Sequence, residues 1–386
     1  EDSLLAYNSE NGNFKPLPFD FTRASSATVV NKAGLIETVG SGEPRIDFSN
    51  DAKGALLLEP TRTNNLLQSN QFDTTWSASN ASTTSGQIGV GGSLDAWKLE
   101  SSGSSASFIF QGISTSVVTT RSIYAKAGSV NWFSINSGGS QAAYFDLSNG
   151  VVGTKSSNII DATMESVGDG WYRCSVEIDS QSNFYIFIAN ADNSQSSNNG
   201  DSIYIQYAQL EQGSYATSYI PTQGSAVTRS ADACNNAGNE QVINSTEGVL
   251  YLEGKVKSDS NSSINSIGIS NGTDSNRLSI IMYGNSDLIR ANMNVSSVSQ
   301  FDFLQYGNNP EQYYKIAVSY KQNNCKIFIN GVKVGVDISA TMPSLGTFDT
   351  LNLDIGNNLY DFYGNIKDVK LYNTALTDSE LQALTK

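Results

Sequence analysis

The side chains that could perform acid–base or nucleophilic chemistry are limited in type. The sequence contains 37 aspartates and glutamates but no histidine, which excludes Ser-His-Asp and Cys-His catalysis and histidine-containing zinc sites. Hydrolysis would have to depend on a pair of carboxylates. Most acidic residues instead occur in turn-like contexts such as DGW, SDS, GTDS and TDSE, where solvation, turn formation and capping explain them. We therefore expect a protein that is not an enzyme.

Aromatic residues on the polar face of predicted strands are the stronger functional candidates. In VNWFSIN, Phe133 and Ile135 share one face, so Trp132 lies on the other. The same alternation puts Tyr144 of AAYFDLS and Tyr124 of RSIYAKAG opposite their apolar neighbours. These three rings are predicted to point away from the core.

A later strand, DSIYIQYAQLE, adds Tyr204 and Gln206 on the face opposite its isoleucines. An outward aromatic ring beside amide or carboxylate groups suits a sugar, because the ring stacks on the apolar sugar face and the polar groups bind its hydroxyls. The predicted carbohydrate-binding residues are Trp132, Tyr144, Tyr124, Tyr204 and Gln206. An alternative stays open, in which loops or a neighbouring subunit cover these faces.

The composition indicates the elements that must position these residues. Charged residues make up 16% of the chain, and tyrosine (18) and phenylalanine (16) are frequent. Together with abundant Gly, Ser, Asn and Thr, this composition is typical of many short strands joined by polar turns. We predict an all-β protein with two β-sandwich (jelly-roll) domains, a strand-rich N-terminal segment and one short C-terminal helix.

The charge and the cysteines restrict the possible partners and cofactors. The net charge of −14 disfavours nucleic acid and anionic membranes, and no apolar run approaches the roughly 20 residues that span a bilayer. Cys174, Cys234 and Cys325 are widely spaced and odd in number, so neither a disulfide framework nor a cysteine metal site is indicated. Cys174 and Cys325 share a face with apolar neighbours, which predicts two small core residues.

Four regions follow from the strand pattern. Residues 1–65 contain short extended pieces, including a hairpin in ATVVNKAGLIETV; residues 66–221 contain seven regular strands, and residues 222–245 are polar and small. We predict a strand-rich segment, a jelly roll and a linker, respectively. Residues 246–386 are predicted to form a second sandwich.

Two local signals in the last region are specific. The pair Asn330-Gly331 between KIFI and VKVG predicts a tight β-hairpin, since both positions must tolerate positive φ. Near the C-terminus, Thr377 and Glu380 have the spacing of a capping box before an apolar stripe of Leu381 and Leu384. They predict a short closing helix.

Two family resemblances extend this interpretation. GVLYLEGKVK, KIAVSYKQNNCKIFINGVKVG and FYGNIKDVKLYNTALTDSELQAL resemble a laminin-G-like, concanavalin A-like sandwich that carries a short helix after its last strand. FDFTRASSATVVNKAGLIETV, EPRIDFSN, GALLLEPTRTNNLLQSNQFDTTW and IYIQYAQLEQGSYATSYIPTQGSAVTRSAD resemble sequences of bacteriophage tail fibres, spikes and head fibres. The region 66–221 is also similar to jelly-roll carbohydrate-binding modules of polysaccharide-degrading enzymes.

The resemblances have consequences for catalysis and metal binding. Concanavalin-type glycosidases carry an E-x-D-x-x-E pattern on one strand, which this sequence lacks. Jelly rolls and laminin-G-like sandwiches often hold one Ca²⁺, for which Asp73 and Asp201 are the candidate ligands here; ordinary turn formation is the alternative for both. No other cofactor is indicated.

The sequence thus predicts a non-catalytic phage fibre or spike protein on the virion surface that attaches to host-surface polysaccharide. Resembling fibre proteins are usually trimers, and residues 1–65 contain apolar runs too short to form a core alone. We therefore expect a homotrimer that also contacts other virion proteins. Two alternatives stay open: the substrate-binding modules of a secreted polysaccharide-degrading enzyme, or a purely structural virion fibre or decoration protein.

Overall fold

The structure, a computed structural model, describes residues 6–10, 13–17, 19–113, 117–138, 141–179, 183–257 and 264–386, and for the first two ranges it gives the backbone. These residues form 32 strands and one C-terminal helix, which confirms the predicted all-β class. No helix in the described ranges is long and apolar enough to cross a membrane.

The first sixteen strands are β1 (Ala6–Glu10), β2 (Asn13–Leu17), β3 (Asp20–Thr22), β4 (Ala27–Val30), β5 (Ile36–Val39), β6 (Arg45–Asp47), β7 (Ala55–Leu58), β8 (Arg62–Asn64), β9 (Ser77–Ser79), β10 (Ala81–Gln87), β11 (Ala96–Ser101), β12 (Ser107–Gln111), β13 (Thr119–Ala127), β14 (Trp132–Gly138), β15 (Gln141–Asp146) and β16 (Val151–Lys155). The remaining elements are β17 (Ile159–Gly168), β18 (Trp171–Ile178), β19 (Phe184–Ala189), β20 (Ser202–Gln212), β21 (Val227–Arg229), β22 (Ala233–Asn235), β23 (Glu247–Val256), β24 (Ile264–Ser270), β25 (Arg277–Tyr283), β26 (Ile289–Val295), β27 (Val298–Gln305), β28 (Tyr314–Lys321), β29 (Cys325–Ile329), β30 (Val332–Asp337), β31 (Thr350–Asn352), β32 (Gly364–Tyr372) and α1 (Asp378–Leu384).

The chain divides into two compact units whose boundaries differ from the four predicted regions. Unit 1 contains Glu1–Ala24, Ser41–Pro60 and Ala231–Lys386, and unit 2 contains Ser25–Gly40 and Thr61–Ser230. The segment 1–65 is thus shared between the units. The physical reason is pairing, because β1, β2, β6 and β7 join a nine-stranded sheet of unit 1, whereas β8 pairs with β21 in unit 2.

Unit 2 is built on two six-stranded sheets. Sheet A has the order β10-β11-β20-β13-β18-β17, and sheet B has the order β16-β15-β14-β19-β12-β9. Alternating apolar residues of both sheets form one core, in which Ile123, Phe133, Phe145 and Cys174 are fully buried. The rings of Phe133 and Phe145 stack with their centroids 5.2 Å apart. This core fixes which face of sheet B can meet a ligand.

Unit 1 contains a nine-stranded sheet with the order β2-β1-β32-β23-β28-β29-β30, to which β7 and β6 are added beside β32. A five-stranded sheet with the order β27-β26-β25-β24-β31 shares its core. Strand β32 pairs with β23 on one edge, while β7 (antiparallel) and β1 (parallel) pair with successive parts of it. Leu56 and Leu58 of β7 are buried in this core, so the N-terminal apolar runs have a partner inside unit 1.

The local signals in the sequence are confirmed. Asn330 and Gly331 have φ of 48° and 81° and join β29 to β30. Helix α1 begins after Thr377, which forms the capping box with Glu380. Leu381 of this helix is buried against the nine-stranded sheet, in a cluster that contains Phe328.

The segment 222–245, predicted as a linker, is structured. Strand β21 pairs with β8 in unit 2, and β22 pairs with β3 in unit 1. Three of its apolar residues, Cys234, Ala237 and Ile243, are at most 5% exposed and belong to the unit 1 core. The polar composition of residues 222–245 gave no indication of these two short strand pairings.

A buried ionic network connects the three segments of unit 1. Arg45 donates to Glu59 at 2.8 Å and to Asp232 at 2.5 Å, and Arg23 donates to the second oxygen of Asp232 at 3.0 Å. The backbone N–H of Glu59 also donates to the Asp232 carboxylate at 2.8 Å. The side chains of Arg23, Arg45 and Asp232 are fully buried. Asp232 therefore contacts guanidinium groups from two other segments, and Glu59 shares one of them.

Removing that carboxylate charge tests the network. We expect Asp232→Asn to lower the free energy of unfolding of unit 1 by about 3 to 5 kcal/mol, because it removes the charge of the buried carboxylate that contacts both guanidinium groups. The control is Asp302→Asn, whose partner Arg290 and own side chain are exposed to about one third, and which should cost at most about 1 kcal/mol. All four tryptophans lie in unit 2, so unit 1 must be followed by calorimetry or far-UV circular dichroism. Equal losses for the two variants would contradict this role.

A fragment comparison tests the unit 1 boundary. We expect residues 231–386 to melt at a higher temperature than residues 246–386, because the longer piece restores three buried core residues and the pairing of Ala237 with Leu351. Both should melt below unit 1 of the intact chain, since both lack Leu56 and Leu58. Calorimetry of the three samples provides the measurement, and identical melting of the two fragments would show that 231–245 adds nothing.

The three cysteines should be unreactive in the folded protein. All three are buried and free, and burial raises the pKa of Cys174 well above its ordinary value, that of Cys234 to about 12 and that of Cys325 to about 11. The reactive thiolate is therefore scarce at neutral pH. We expect no rapid reaction with a thiol reagent in native buffer and reaction of all three thiols in denaturant. Rapid native labelling of even one thiol would contradict the burial.

Candidate functional site

The outer face of sheet B, on the side opposite the core, carries the leading sequence candidate. Strand β14 puts Phe133 and Ile135 into the core and Trp132, Ser134 and Asn136 on the outer face. Because β15 pairs with β14 in register, Tyr144 lies opposite Ser134 on the same face. The structure therefore brings Trp132 and Tyr144 together, as the alternation indicates.

The surroundings of Trp132 make it a half-buried ring. It packs against a small cluster of Ala142, Tyr144 and Ala189. A methyl group added at Gly153 would lie 2.6 Å from the Trp132 ring, so the ring lies directly on that glycine of β16. One part of the indole remains exposed at the sheet surface.

Polar side chains of the loop after β19 surround the two rings. Gln195 hydrogen-bonds to the Tyr144 hydroxyl. Its Nε2 also donates to the side-chain oxygen of Asn136 at 2.8 Å, in the orientation of the Asn136 amide that lets its nitrogen donate to neighbouring carbonyls. Asp192 accepts from the N–H and hydroxyl of Thr154, both at 2.8 Å. Tyr144 lies on the outer face, as predicted, but it is only 5% exposed, so the prediction that its ring is accessible to a ligand is wrong.

The carboxylates on this face have structural partners. Burial alone would raise the pKa of Asp146, but hydrogen bonds donated by Ser148 and Asn149 outweigh it and hold the pKa below its ordinary value. Asp146 is therefore ionised at neutral pH and cannot act as a general acid there. Burial and the nearby Asp192 raise the pKa of Tyr144, so its hydroxyl stays neutral. The face offers hydrogen bonds and ring surfaces.

Four further aromatic residues continue this face across β12 and β19. Phe110 and Tyr185 stack with centroids 4.9 Å apart, and Phe108 and Phe187 lie 4.5 Å apart. Phe187 is opposite Ser134 in the sheet register, so one row runs from these rings to Tyr144. We call Trp132 and these four residues the aromatic face. The sequence contains a signal for these four rings that strand alternation alone did not use. In SFIF and NFYIFIA, apolar residues occupy both alternating sets of positions, which indicates that the outer side of each strand is also apolar.

The other predicted residues lie on the outer face of sheet A and do not join this site. Tyr124 is 4% exposed and Gln206 is fully buried. Tyr124 forms a buried cluster with Ala96 and Trp171, against which Ile36 of the β4–β5 hairpin and Val90 pack. The Gln206 side chain accepts a hydrogen bond from the N–H of Val90 at 2.8 Å. The predicted exposure is therefore wrong for Tyr124 and Gln206, because other parts of unit 2 cover them. Tyr204 is half-buried beside the same cluster.

The two candidate calcium ligands act within turns. Asp201 accepts from the backbone N–H of Asn198 at 2.6 Å, and the exposed Asp73 accepts from Thr74 at 3.2 Å. Among the described residues, no three His, Cys, Asp or Glu side chains converge as metal ligands. Each contact is that of an ordinary turn-forming aspartate.

Comparison with known proteins gives one family match. The model described as the concanavalin A-like lectin/glucanases superfamily matches residues 255–382, from within β23 to within α1. This match confirms the resemblance of the last third of the chain to laminin-G-like, concanavalin-type domains. No curated protein sequence matches the chain significantly.

Three solved structures illustrate the structural similarity. The Ruminococcus gnavus IT-sialidase CBM40 bound to α2,3-sialyllactose is 16% identical with a TM-score of 0.33, covering 39% of this chain and 94% of that chain. Domain 4 of the Geobacillus stearothermophilus arabinanase AbnA in complex with arabinotriose is 17% identical with a TM-score of 0.33, covering 45% and 82%. Mouse laminin α1 domains LG4-5 are 9% identical with a TM-score of 0.27, covering 80% and 88%. None of the three assigns a ligand to this chain.

The half-buried state of Trp132 predicts a measurable effect on stability. We expect Trp132→Ala to lower the free energy of unfolding of unit 2 by about 1 to 2 kcal/mol, less than the roughly 3 to 5 kcal/mol of a fully buried tryptophan. Trp132→Phe should cost less, because it keeps a ring on Gly153. Urea unfolding followed by the fluorescence of the other three tryptophans measures this. A loss as large as that of Trp171→Ala, a residue only 1% exposed, would place Trp132 in the core.

Proposed function

We propose that this chain is a non-catalytic attachment protein that binds glycans through the aromatic face of unit 2. The observation that carries this proposal is the combination of partly exposed rings with amide and carboxylate groups on one side of a rigid sheet. Trp132 lies beside Asp192 and Tyr144 beside Gln195, with four further rings on the same face. Such a surface binds sugar rings by stacking and sugar hydroxyls by directional hydrogen bonds.

The absence of catalysis is part of the proposal. Hydrolysis of a glycosidic bond uses two carboxyl groups, one of which must be protonated at working pH. On this face Asp146 is held ionised by its hydrogen bonds, and Asp192 is bonded to Thr154. The sequence contains no histidine that could substitute.

We further propose that the protein belongs to a bacteriophage fibre or spike on the virion surface, with host-surface polysaccharide and other virion proteins as its partners. The support is the N-terminal motif string, which resembles phage fibre proteins. The apolar runs of 1–65 pack inside unit 1 through residues such as Leu56 and Leu58. The proposed trimer therefore rests on the resemblance alone.

Binding of host polysaccharide to variants of the aromatic face tests the function. On a glycan array that includes the bacterial surface polysaccharide, we expect Trp132→Ala to weaken binding roughly tenfold through the loss of one stacking contact. Trp132→Phe should retain most of the affinity. Tyr204→Ala, which changes a half-buried ring on the other sheet, is the matched control and should bind as the unmodified protein does.

The pH and salt dependence of the same binding provides a second check. We expect constant affinity around neutral pH, because no histidine exists and Asp146 titrates only well below it. For a neutral glycan, added salt should have little effect. Unchanged binding by Trp132→Ala, or equal weakening by Tyr204→Ala, would contradict the aromatic face as the site.

A further inference from the structure

A cleft in unit 2 lies apart from the aromatic face, next to a bulge in sheet A. Ser122 pairs with Gln209 and Tyr124 with Gln206, so two residues of β20, Tyr207 and Ala208, oppose one residue of β13. Tyr207 there has a φ of 54°, which is uncommon for a residue with a side chain. The bulge turns the Tyr207 ring toward the cleft that it lines.

The cleft has the size and lining of a small-molecule site. Its volume is about 560 Å³, within the usual range of ligand pockets. The lining includes Gln68, Asn70, Gln71, Tyr207, Tyr219 and Gln223. None of its lining residues carries a formal charge at neutral pH, since burial raises the pKa of both tyrosines above their ordinary value. The lining itself therefore offers no counter-charge to a charged ligand.

The two tyrosine rings are fixed before any ligand binds. Their centroids lie 4.6 Å apart with planes at 34°. The Tyr207 hydroxyl donates to Asp95 at 2.8 Å, and the Tyr219 hydroxyl shares a 2.6 Å hydrogen bond with Ser69. Because both hydroxyls are engaged, the rings are held in place and present fixed surfaces.

Two buried polar atoms in the lining have no hydrogen-bond partner within the described protein. They are Oε1 of Gln68 and Oγ1 of Thr222, in residues that are 8% and 7% exposed. The backbone around each is held, since the Gln68 carbonyl accepts the Trp76 indole N–H at 2.8 Å and the Thr222 N–H donates to Ser69 at 2.8 Å. A buried, positioned and unsatisfied acceptor is costly unless a ligand donates to it.

We propose that this cleft binds one neutral saccharide unit, with its apolar face against Tyr207, which Tyr219 backs, and its hydroxyls bonded to Gln68 and Thr222. Uncharged lining, fixed ring faces and free hydrogen-bonding groups together match a polyhydroxylated ring. An apolar ligand would leave the Gln68 and Thr222 oxygens unpaired. The choice of a saccharide as the ligand rests on the proposed function. The residues of the cleft, however, are entirely different from those of the aromatic face.

The test uses the full chain with ring-labelled tyrosine and methyl glycosides of neutral hexoses and N-acetylhexosamines at millimolar concentration. We expect at least one glycoside to shift the NMR signals of Tyr207 and Tyr219, assigned with the corresponding Tyr→Phe variants. Gln68→Met and Thr222→Val each remove one oxygen while nearly preserving shape and leaving the backbone contacts in place. Each should raise the dissociation constant about fivefold to tenfold, the effect of losing one hydrogen bond.

The same variants separate binding from folding. Removing an unsatisfied buried oxygen should leave the melting temperature unchanged or raise it, so a loss of binding without a loss of stability supports the cleft. Gln87→Met, a glutamine on β10 outside the lining, is the matched control and should change neither property. No shift of either tyrosine with any glycoside, or unchanged affinity in both Gln68→Met and Thr222→Val, overturns the proposal.

The outcome is independent of the test on Trp132. If host polysaccharide binding depends on Trp132 but the cleft tyrosines do not respond, the aromatic face stands and the cleft proposal fails. If the tyrosines respond and the Trp132→Ala variant binds the glycoside equally well, the cleft is a separate saccharide site, even where the array shows no polysaccharide binding.

Discussion

The unit 1 structure depends on one buried ionic network. The chain passes between the units after residues 24, 40, 60 and 230, and Arg23, Glu59 and Asp232 lie within two residues of three of these points. Breaking a buried pair costs several kcal/mol because the remaining charge stays desolvated. The network thus joins residues from the three segments of unit 1, in addition to the backbone pairing of β1 and β7 with β32.

Unit 2 has its own buried polar anchor close to its ends. Arg229 is 1% exposed and donates to Thr217 and Ser218, both at 3.1 Å, while Thr217 donates to the buried Glu211 at 2.6 Å. These groups hold the segment that carries Tyr219. These polar contacts near the C-terminal end of unit 2 therefore also position the cleft.

The two outer faces of the unit 2 sandwich differ in how far the described loops and strands of unit 2 cover them. Over sheet A, the β4–β5 hairpin and the segment around Val90 bury Tyr124 and Gln206. Over sheet B, the loop after β19 contacts Tyr144 through Gln195 but leaves Trp132, Phe108, Phe110 and Tyr185 partly exposed. Strand alternation is identical in both sheets, and coverage alone decides which rings can meet a ligand.

Patterns of residues close in sequence were sufficient to predict the local structure. Alternation assigned Phe133 and Ile135 to the core and Trp132 to the opposite face, Asn330-Gly331 specified a hairpin, and Thr377 with Glu380 specified the helix start, because each depends on residues close in sequence. The folded chain was needed to show that Tyr124 and Gln206 are covered, that Leu56 completes the unit 1 core, and that Gln68, Tyr207 and Thr222 form one cleft. These outcomes depend on contacts between residues far apart in the chain, and the pattern of a single strand contains no information on what packs over it.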